Sequence, residues 1–342
     1  MNLFSLHKED WKNEPVKGLA PFRARQLFHW FHRRGIWNYD EMDNLPAKMR
    51  EKLSREYPIE SVSILQWIPS KEDETKKILF ELSDHQIVEG VLLSYRHGLS
   101  VCLSTQVGCA MGCKFCASTI GGKTRNLTRG EILQMFYLTQ RKAEKKISHL
   151  VLMGSGEPLD NVEEVKGFLE ILTDPDGQNV SWRNITLSTC GLIPEMDALA
   201  EWNRPLTLAI SLHSAREEVR RVLMPISRTY PAKDVVEAAV RYQEKTGRRV
   251  SLEVSLIHEV NDTEEDLQAL IQLLQGKGMH VNLIGLNPIE ERSLRSARDI
   301  RLETFKKSLE AKGIRATIRR EMGRDVQGAC GQLRNSVLSK IE

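Results

Sequence analysis

The sequence predicts an α/β fold: a partial, six-fold β/α barrel preceded by an N-terminal helical domain and a small β extension. From about residue 97 to residue 321, short apolar segments alternate with amphipathic ones, as in parallel strands joined by helices. The strand segments are apolar at nearly every position, which is typical of strands buried on both faces. Six units are fewer than the eight of a closed barrel, so we expect an open one.

Hydrophobic periodicity places the individual elements of this barrel. The candidate strands are residues 99–105, 148–154, 184–190, 206–213, 249–257 and 281–287, with a further strand at 314–321. The candidate helices are residues 128–146, 161–173, 194–202, 217–223 with 231–246, 263–276 and 299–312. Thr128 and Glu131 have the spacing of a capping box, which marks the start of the first of these helices.

Two helices and a small antiparallel region are predicted before the barrel. PFRARQLFHWFHRRG has apolar residues at helical intervals, DEMDNLPAKMREKLSREY follows as a second helix, and three short β-type runs lie between residues 60 and 95. We therefore predict four parts. They are a helical domain at 1–55, a small β region at 56–95 that carries Glu89, the barrel at 96–325, and a C-terminal segment at 326–342 that carries Cys330.

The composition is that of an ordinary globular protein. The chain has 342 residues, of which 41% are hydrophobic and 28% charged, and its net charge of +3 permits a nucleic-acid partner without implying one. No apolar run approaches the roughly 20 residues of a membrane span, and the N-terminus lacks the apolar core of a signal peptide. Six cysteines that include a CxxxCxxC spacing favour a reducing compartment. We expect a cytoplasmic protein with no membrane partner.

Three of the cysteines form the most informative motif. Cys109, Cys113 and Cys116 lie in GCAMGCKFCAS, directly after the first predicted barrel strand. Three thiolates on one loop can hold three corners of a [4Fe–4S] cube and leave the fourth iron open to a ligand. The alternative is a zinc site, but zinc prefers four ligands in tight pairs, and no His or Cys follows within thirty residues.

Polar and glycine residues follow several other strands at the same predicted edge of the sheet. The second strand is followed by Gly154, Gly156, Glu157 and Pro158 in MGSGEP. A glycine turn lets the backbone approach a ligand closely, and a carboxylate can pair with an ammonium group. Each of the later residues has the alternative role of a strand-end cap, and together they predict a binding rim: Ser188, Ser211, Leu212, His213 and Asn287.

The cysteine motif and the GEP segment resemble those of the radical S-adenosylmethionine (SAM) superfamily. Phe115 stands just before the last cysteine, as is usual there. The resemblance implies that the open iron binds the methionyl amine and carboxylate of SAM. It also implies that GEP contacts the amine, and that an electron from the cluster cleaves SAM to a 5′-deoxyadenosyl radical.

The outlying cysteines identify a narrower resemblance, to the RlmN/Cfr family of RNA adenine methyltransferases. Cys102 precedes Cys109 by seven residues, and Cys330 lies in DVQGACGQL. Similar segments occur in order along nearly the whole chain: PFRARQLFHW, VCLSTQVGCAMGCKFCAS, RNLTRGEI, ITLSTCGLIP, SLHSAREEVRRVLMPI, HVNLIGLNP and ATIRREMGRDVQGACGQL. The resemblance implies 23S rRNA and tRNA as partners, an electron donor such as flavodoxin or ferredoxin, and an RNA-engaging N-terminal domain. The oligomeric state does not follow from the sequence, and we expect a monomer.

The resemblance also implies roles for three residues. One SAM methylates Cys330, and a second SAM, cleaved at the cluster, supplies the radical that takes a hydrogen atom from this methyl group. The resulting methylene radical adds to the adenine ring. Glu89 then removes the ring proton, and Cys102 attacks the Cys330 sulfur to leave a disulfide. Without the resemblance, Glu89 would be interpreted as a solvent-facing strand residue and the two cysteines as buried apolar side chains. Cys190 is interpreted as packing only.

These observations predict methylation of C2 of adenosine 2503 in 23S rRNA, and of adenosine 37 in some tRNAs. The nearest alternative is C8 methylation of the same rRNA adenosine, as in the antibiotic-resistance branch of the family. Two other classes remain open: a radical SAM activase that acts on a partner protein, and an iron–sulfur RNA-binding regulator. Basic groups around Arg23–Arg34, with Trp30 and His32, either contact RNA or form a solvated helix face.

Overall fold

A computed structural model describes residues 2–13, 15–16, 18–287, 289, 291–329 and 331–333. Cys330 and the last residues of the predicted C-terminal segment lie outside these ranges. No helix in the described part of the chain is long and apolar enough to cross a membrane.

A single ten-stranded sheet organises the molecule. Its strand order is β1-β2-β3-β4-β7-β8-β9-β10-β11-β12, antiparallel as far as β4 and parallel from there on. The strands are β1 (Ser63–Pro69), β2 (Lys76–Glu81), β3 (Ile87–Tyr95), β4 (Gly98–Leu103), β7 (Ile147–Leu152), β8 (Ile185–Thr189), β9 (Thr207–Ser211), β10 (Val250–Leu256), β11 (His280–Gly285) and β12 (Arg315–Ile318). A separate two-stranded sheet pairs β5 (Gln106–Gly108) with β6 (Lys123–Asn126). The six predicted parallel units and the additional strand are present, which confirms the partial-barrel prediction.

Nine α-helices occur in the described residues. They are α1 (Pro21–Phe28), α2 (Ala47–Glu56), α3 (Arg129–Ala143), α4 (Val162–Thr173), α5 (Ile193–Trp202), α6 (Glu217–Leu223), α7 (Ala232–Thr246), α8 (Glu264–Leu274) and α9 (Asp299–Ala311). The capping box of Thr128 and Glu131 is formed as predicted. A second capping box, of Thr263 and Asp266, starts α8.

The structure corrects two helix boundaries near the N-terminus. The first predicted helix is α-helical only to Phe28 and continues as a π-helical turn over His29–Arg33. The second helix begins at Ala47, not at residue 40, because Pro46 takes the extended N-cap position. Proline disfavours helical backbone in the residue before it, so the segment before Pro46 forms only a short 3₁₀ turn.

The small β region is continuous with the barrel sheet, because β3 pairs with β4 over six residue pairs. Register then decides which side chains share a face. Val91 lies opposite Cys102, Cys102 opposite Val151, and the alternation continues along the sheet. We call this the inner face; it carries Lys77, Glu89, Cys102, Val151, Ser188 and Ser211. The alternate positions, such as Val101 and Leu103, join the apolar core that the helices cover.

The N-terminal helices pack on α3 through an aromatic cluster. The Phe4 ring lies 5.5 Å from Phe31 and 6.1 Å from Tyr137. His32 is fully buried there, and its Nδ1 lies 3.1 Å from the Tyr137 hydroxyl. Trp30 is also buried, and Arg34 stacks over its ring at 4.0 Å. Trp30 and His32 therefore belong to the interior and are not available to stack on RNA bases.

We predict that burial of His32 makes the protein less stable in acid. Burial, with a smaller effect of His7, lowers the pKa of His32 to about 3. The unfolded chain, with an ordinary histidine pKa near 6.5, therefore binds the proton first, and stability falls as the pH drops below that value. At pH 5 the loss is about 2 kcal/mol, at roughly 1.4 kcal/mol per pH unit.

Urea unfolding at pH 7.5 and pH 5 tests this prediction. His32→Asn keeps a polar group for Tyr137 but does not titrate, so its stability should depend less on pH than that of the wild type. His85→Asn, at an exposed histidine with left-handed backbone, is the control and should behave as the wild type does. Equal pH dependence in all three proteins would contradict the prediction.

Candidate active site

A β-hairpin that the sequence did not reveal encloses the cysteine loop. Strands β5 and β6 lie on either side of residues 109–122, and the Cys109 amide donates to the Gly122 carbonyl at 3.1 Å. Gly108 has φ +75°, and a Cβ atom at this position would lie 2.0 Å from the Gly122 oxygen. Glycine is therefore required at the base of the loop.

Backbone contacts fix the loop between the cysteines. The Thr119 hydroxyl donates to the carbonyls of Cys113, at 3.0 Å, and Cys116, at 2.9 Å. The Lys114 amide donates to the Leu223 carbonyl at the end of α6, at 2.9 Å. The loop is thus held by the hydroxyl of its own residue Thr119 and by helix α6, which lies more than one hundred residues later in the chain.

The three loop cysteines have the donor chemistry of an iron–sulfur site. Burial raises the pKa of the Cys109 thiol to about 12 and that of Cys113 well above its usual range, with a further contribution from Cys116. A bound metal would displace these protons, because the thiolate is the form of cysteine that binds metal. Among the described residues no three His, Cys, Asp or Glu side chains converge on one point, as a single-ion site would require. A cube instead binds each thiolate to a different iron, so its three thiolates need not converge on one point.

Glu157 of the GEP segment is buried beside this loop. Its amide donates to Gln106 Oε1 at 2.9 Å, its Oε1 accepts from the Leu159 amide at 3.0 Å, and its Oε2 accepts from the Cys190 amide at 2.7 Å. Burial raises the pKa of this carboxyl, whereas the hydrogen bonds from Cys190 and Leu159 favour its ionised form. Cys190, which was interpreted as packing only, is a hydrogen-bond partner of Glu157 as well as a buried side chain.

The predicted rim residues differ in what they offer a ligand. Ser188 and Ser211 lie on the inner face and are partly exposed. Leu212 is fully buried in the apolar core, so only its backbone can serve a cofactor, and its carbonyl already accepts from Arg220. Asn287 is buried just beyond β11.

His213 supports the cysteine loop from the next strand end. Its ring lies 4.3 Å from the Phe115 ring, centroid to centroid, and its Nδ1 accepts from the Ser255 amide at 3.0 Å. Burial, with a smaller effect of Arg220, lowers the pKa of His213 to about 3, so the ring is neutral. These contacts give His213 a positioning role against the residue that precedes Cys116.

Glu89 is buried, so its interpretation as a solvent-facing residue is wrong. Only 1% of it is exposed, and its Oε1 lies 3.1 Å from Nζ of Lys77, which is buried too. The Ser104 hydroxyl donates to the Glu89 carbonyl at 2.6 Å, which ties β3 to the end of β4. Glu89 and Cys102 therefore lie near one another on the inner face, one diagonal step apart across β3 and β4.

The described residues after β12 cross the inner face and reach the cysteine loop. We call residues 319–329 and 331–333 the strap. The strap is held at one end by Asp325, which accepts from the Ser70 hydroxyl and the Lys71 amide, each at 2.7 Å. At the other end the Ala117 amide donates to the Gly331 carbonyl, and the Ser118 hydroxyl donates to the Leu333 carbonyl, again at 2.7 Å.

The strap also covers Cys102. Cys102 and Leu333 belong to one buried apolar cluster with Val91 and Leu93. A Cβ atom at Gly154 would lie 2.7 Å from Leu333 Cδ1 and 3.3 Å from Cys102 Sγ. The GEP segment, the predicted resolving thiol and a residue close to position 330 in the chain therefore meet at one place.

Two family models match this chain, one over the barrel and one over the N-terminal domain. The model of the radical SAM superfamily matches residues 103–274, and that of the ribosomal RNA large subunit methyltransferase N-terminal domain matches residues 1–59. Fold and site thus define a radical SAM enzyme, a class that uses a [4Fe–4S] cluster and SAM.

Full-length relatives narrow the family further. Two proteins named "Probable dual-specificity RNA methyltransferase RlmN" are similar over nearly their whole length. The one from Lachnoclostridium phytofermentans is 48% identical, covering 95% of this chain and 91% of its own, and the one from Alkaliphilus metalliredigens is 46% identical, covering 100% and 97%. The crystal structure of a radical SAM methyltransferase from Sphaerobacter thermophilus is 39% identical, with TM-score 0.93 and coverage of 98% and 100%. The chain belongs to the RlmN family of radical SAM RNA methyltransferases, which confirms the resemblance.

We predict that Gly156→Ala weakens SAM binding at least tenfold. Gly156 has φ +108°, and an added Cβ atom would lie 2.7 Å from the Gln106 Cβ atom, so the GEP turn would have to move away from the cysteine loop. Equilibrium dialysis of SAM with the reconstituted protein measures the effect. Gly247→Ala is the matched control, because Gly247 also has positive φ, at +65°, but open space around it. It should cost only stability, about 1 kcal/mol, and leave SAM affinity unchanged.

Proposed function

We propose that this enzyme methylates C2 of adenosine 2503 in 23S rRNA, and of adenosine 37 in some tRNAs, through a methylated Cys330. One observation carries the proposal. Glu89 and Cys102 share the inner face of the sheet. Gly331 and Leu333, which follow position 330, are hydrogen-bonded to the cysteine loop, and Leu333 packs in one apolar cluster with Cys102. A base, a thiol and a thioether carrier are what this reaction needs in addition to a radical source.

In this proposal the cofactors are bound at the carboxyl ends of the strands. Cys109, Cys113 and Cys116 would hold a cluster, which would supply the electron for cleavage of SAM, with two SAM molecules used per turnover. The buried carboxyl of Glu157 lies where it can accept from the methionyl amine. Gly156 gives the backbone access that such an approach needs, and Ser188, Ser211 and Asn287 offer polar groups to the nucleoside and carboxylate. Leu212 and His213 hold neighbouring parts of the site in position, and their side chains do not contact SAM.

The inner-face residues complete the proposed reaction. C2 of adenine has no nucleophilic lone pair, so the methyl group must reach it as a radical carried on the Cys330 sulfur. Glu89, whose Oε1 lies 3.1 Å from Lys77 Nζ, then takes the ring proton. The Cys102 thiolate attacks the Cys330 sulfur, and the electron pair of the breaking sulfur–carbon bond passes to the methylene carbon, which takes up a proton to become the methyl group. The unpaired electron of the adduct would return to the oxidised cluster on the cysteine loop, and a Cys102–Cys330 disulfide remains.

The remaining predictions concern domain boundaries, binding partners and cellular location. The match of the N-terminal domain to its family model supports a role of residues 1–55 in engaging rRNA or tRNA. The other proposed domain boundaries, a flavodoxin or ferredoxin as electron donor, a monomeric state and a cytoplasmic location stay predictions.

Analysis of the methylated product tests the proposed regiochemistry. We expect 2-methyladenosine when the reconstituted enzyme acts on 23S rRNA fragments with SAM and reductant, and the same product in tRNA. Digestion to nucleosides, with chromatography and mass spectrometry, separates it from 8-methyladenosine. A product that is entirely 8-methyladenosine would contradict the proposal in favour of the C8 alternative.

The two outlying cysteines can be distinguished by what their variants trap. Cys102→Ala should accumulate RNA covalently attached to the protein, because the adduct forms but the resolving thiol is missing. Cys330→Ala should give neither adduct nor methylated RNA, while still producing 5′-deoxyadenosine. Gel electrophoresis and peptide mass spectrometry detect the adduct. An active Cys330→Ala variant would instead support the activase class, and a wild type that makes no 5′-deoxyadenosine would support the regulator.

A further inference from the structure

Arg220 on α6 is a fully buried cation at the rim of the site. Its Nε donates to the Leu212 carbonyl at 3.1 Å, one terminal nitrogen to Cys190 at 3.2 Å and the other to Tyr230 at 2.8 Å. Leu212 directly follows β9, and Cys190 directly follows β8. The guanidinium therefore joins the ends of two adjacent strands on which rim residues lie.

These hydrogen bonds do not by themselves explain why a charged group is buried at this position. Transfer of a guanidinium from water to the interior costs several kcal/mol, and neutral carbonyl partners return only part of it. In the part of the chain that the structure describes, the hydrogen-bond acceptors of Arg220 are all backbone carbonyls. The other buried cation near the site, Lys77, is by contrast paired with Glu89.

Arg220 lies close to the cysteine loop. Helix α6 ends at Leu223, whose carbonyl accepts from the Lys114 amide inside that loop. Leu223, Cys113 and Cys190 belong to one buried apolar cluster. The Arg220 guanidinium donates to the carbonyl of Cys190, a member of that same cluster, so the charge lies beside the residues that pack against Cys113.

A buried cation at this place favours negative charge on the loop sulfurs and whatever they bind. A cluster with three thiolate ligands is anionic, and reduction adds one more negative charge. Coulomb interaction in a site of low polarity then stabilises the reduced form more than the oxidised form. The reduction potential is the quantity that such a charge changes.

We infer that Arg220 is a positioning residue whose fixed positive charge raises the reduction potential of the cluster on Cys109, Cys113 and Cys116. The inference rests on the proposed binding of the cluster by this loop, and not on the RNA chemistry. Arg220 thereby has two roles: it fastens the ends of β8 and β9, and it makes the electron easier to deliver to the cluster.

The experiment compares three variants of the full chain, each reconstituted without oxygen and titrated with reductant. Electron paramagnetic resonance gives the reduced fraction of the cluster at each potential. Arg220→Met removes the charge, and Arg220→Lys keeps the charge without the planar fork. Arg221→Met is the matched control, because it removes the same charge from the neighbouring, exposed position of α6.

We expect Arg220→Met to lower the ratio of reduced to oxidised cluster at least tenfold at a fixed potential, which for one electron is about 59 mV. Arg220→Lys should stay within a few-fold of the wild type, and Arg221→Met should match it. A wild-type midpoint in Arg220→Met would overturn the inference. If Arg220 had only a structural role, Arg220→Met and Arg220→Lys would change the ratio of reduced to oxidised cluster alike. A tenfold change in Arg220→Lys would therefore also overturn the inference.

The remaining outcomes are equally decisive. If Arg220→Met binds no cluster, a Lys variant with cluster and a near-normal midpoint supports the charge role. Loss of cluster from both variants assigns Arg220 to structure alone and overturns the inference. A wild-type protein that binds no cluster would refute the proposed function itself, so failure of the function and failure of the inference are distinguishable.

Discussion

The Glu157 carboxylate is the interaction on which the site depends. Glu157 connects three segments of the chain: its amide donates to Gln106 in β5, and its carboxylate accepts from the amides of Leu159 in its own turn and of Cys190 after β8. Each hydrogen bond satisfies a backbone amide or a side-chain oxygen that would otherwise be buried without a partner. The carboxylate can be buried because the amides of Leu159 and Cys190 donate to it, and these two amides are held in place because they bind it. Strand ends, GEP turn and cysteine loop are therefore interdependent.

Strand register is the second constraint, and it separates packing from chemistry. Because side chains alternate between faces, the residues of β3, β4 and β8 that face away from the helices are free to be polar. Glu89, Cys102 and Ser188 occupy such positions, while Val101, Leu103 and Leu187 fill the core between sheet and helices. A shift of one residue in any of these strands would exchange the two sets.

Much of this architecture could be predicted from the sequence because its signals are local. Strand–helix alternation and the spacing of Cys109, Cys113 and Cys116 occur within short windows, and the parallel topology then places the loop at the carboxyl end of β4. The hairpin of β5 and β6 could not be predicted, since KTRN is short and polar and pairs only because Gly108 allows the close approach.

Burial of charge could not be predicted either, because it depends on distant segments. Arg220 stands in EEVRRVL, which is typical of a solvated helix, and is buried by the strand ends that it contacts. Glu89 and Lys77 are buried because β2 and β3 lie in the interior of an extended sheet. His32 and Trp30, in a segment rich in arginine, are buried because the N-terminal helices pack on α3. In each case the sequence gives the residue type, and the tertiary contacts decide its exposure.

The strap has a consequence for the order in which the molecule is assembled. Every strand of the sheet is synthesised before the strap, so the cysteine loop, its hairpin and the GEP turn can fold while the inner face is still uncovered. The strap closes that face last. Its Asp325 binds the turn after β1, and its Gly331 and Leu333 bind the cysteine loop. The strap therefore docks on a surface that the sheet and the cysteine loop have already formed.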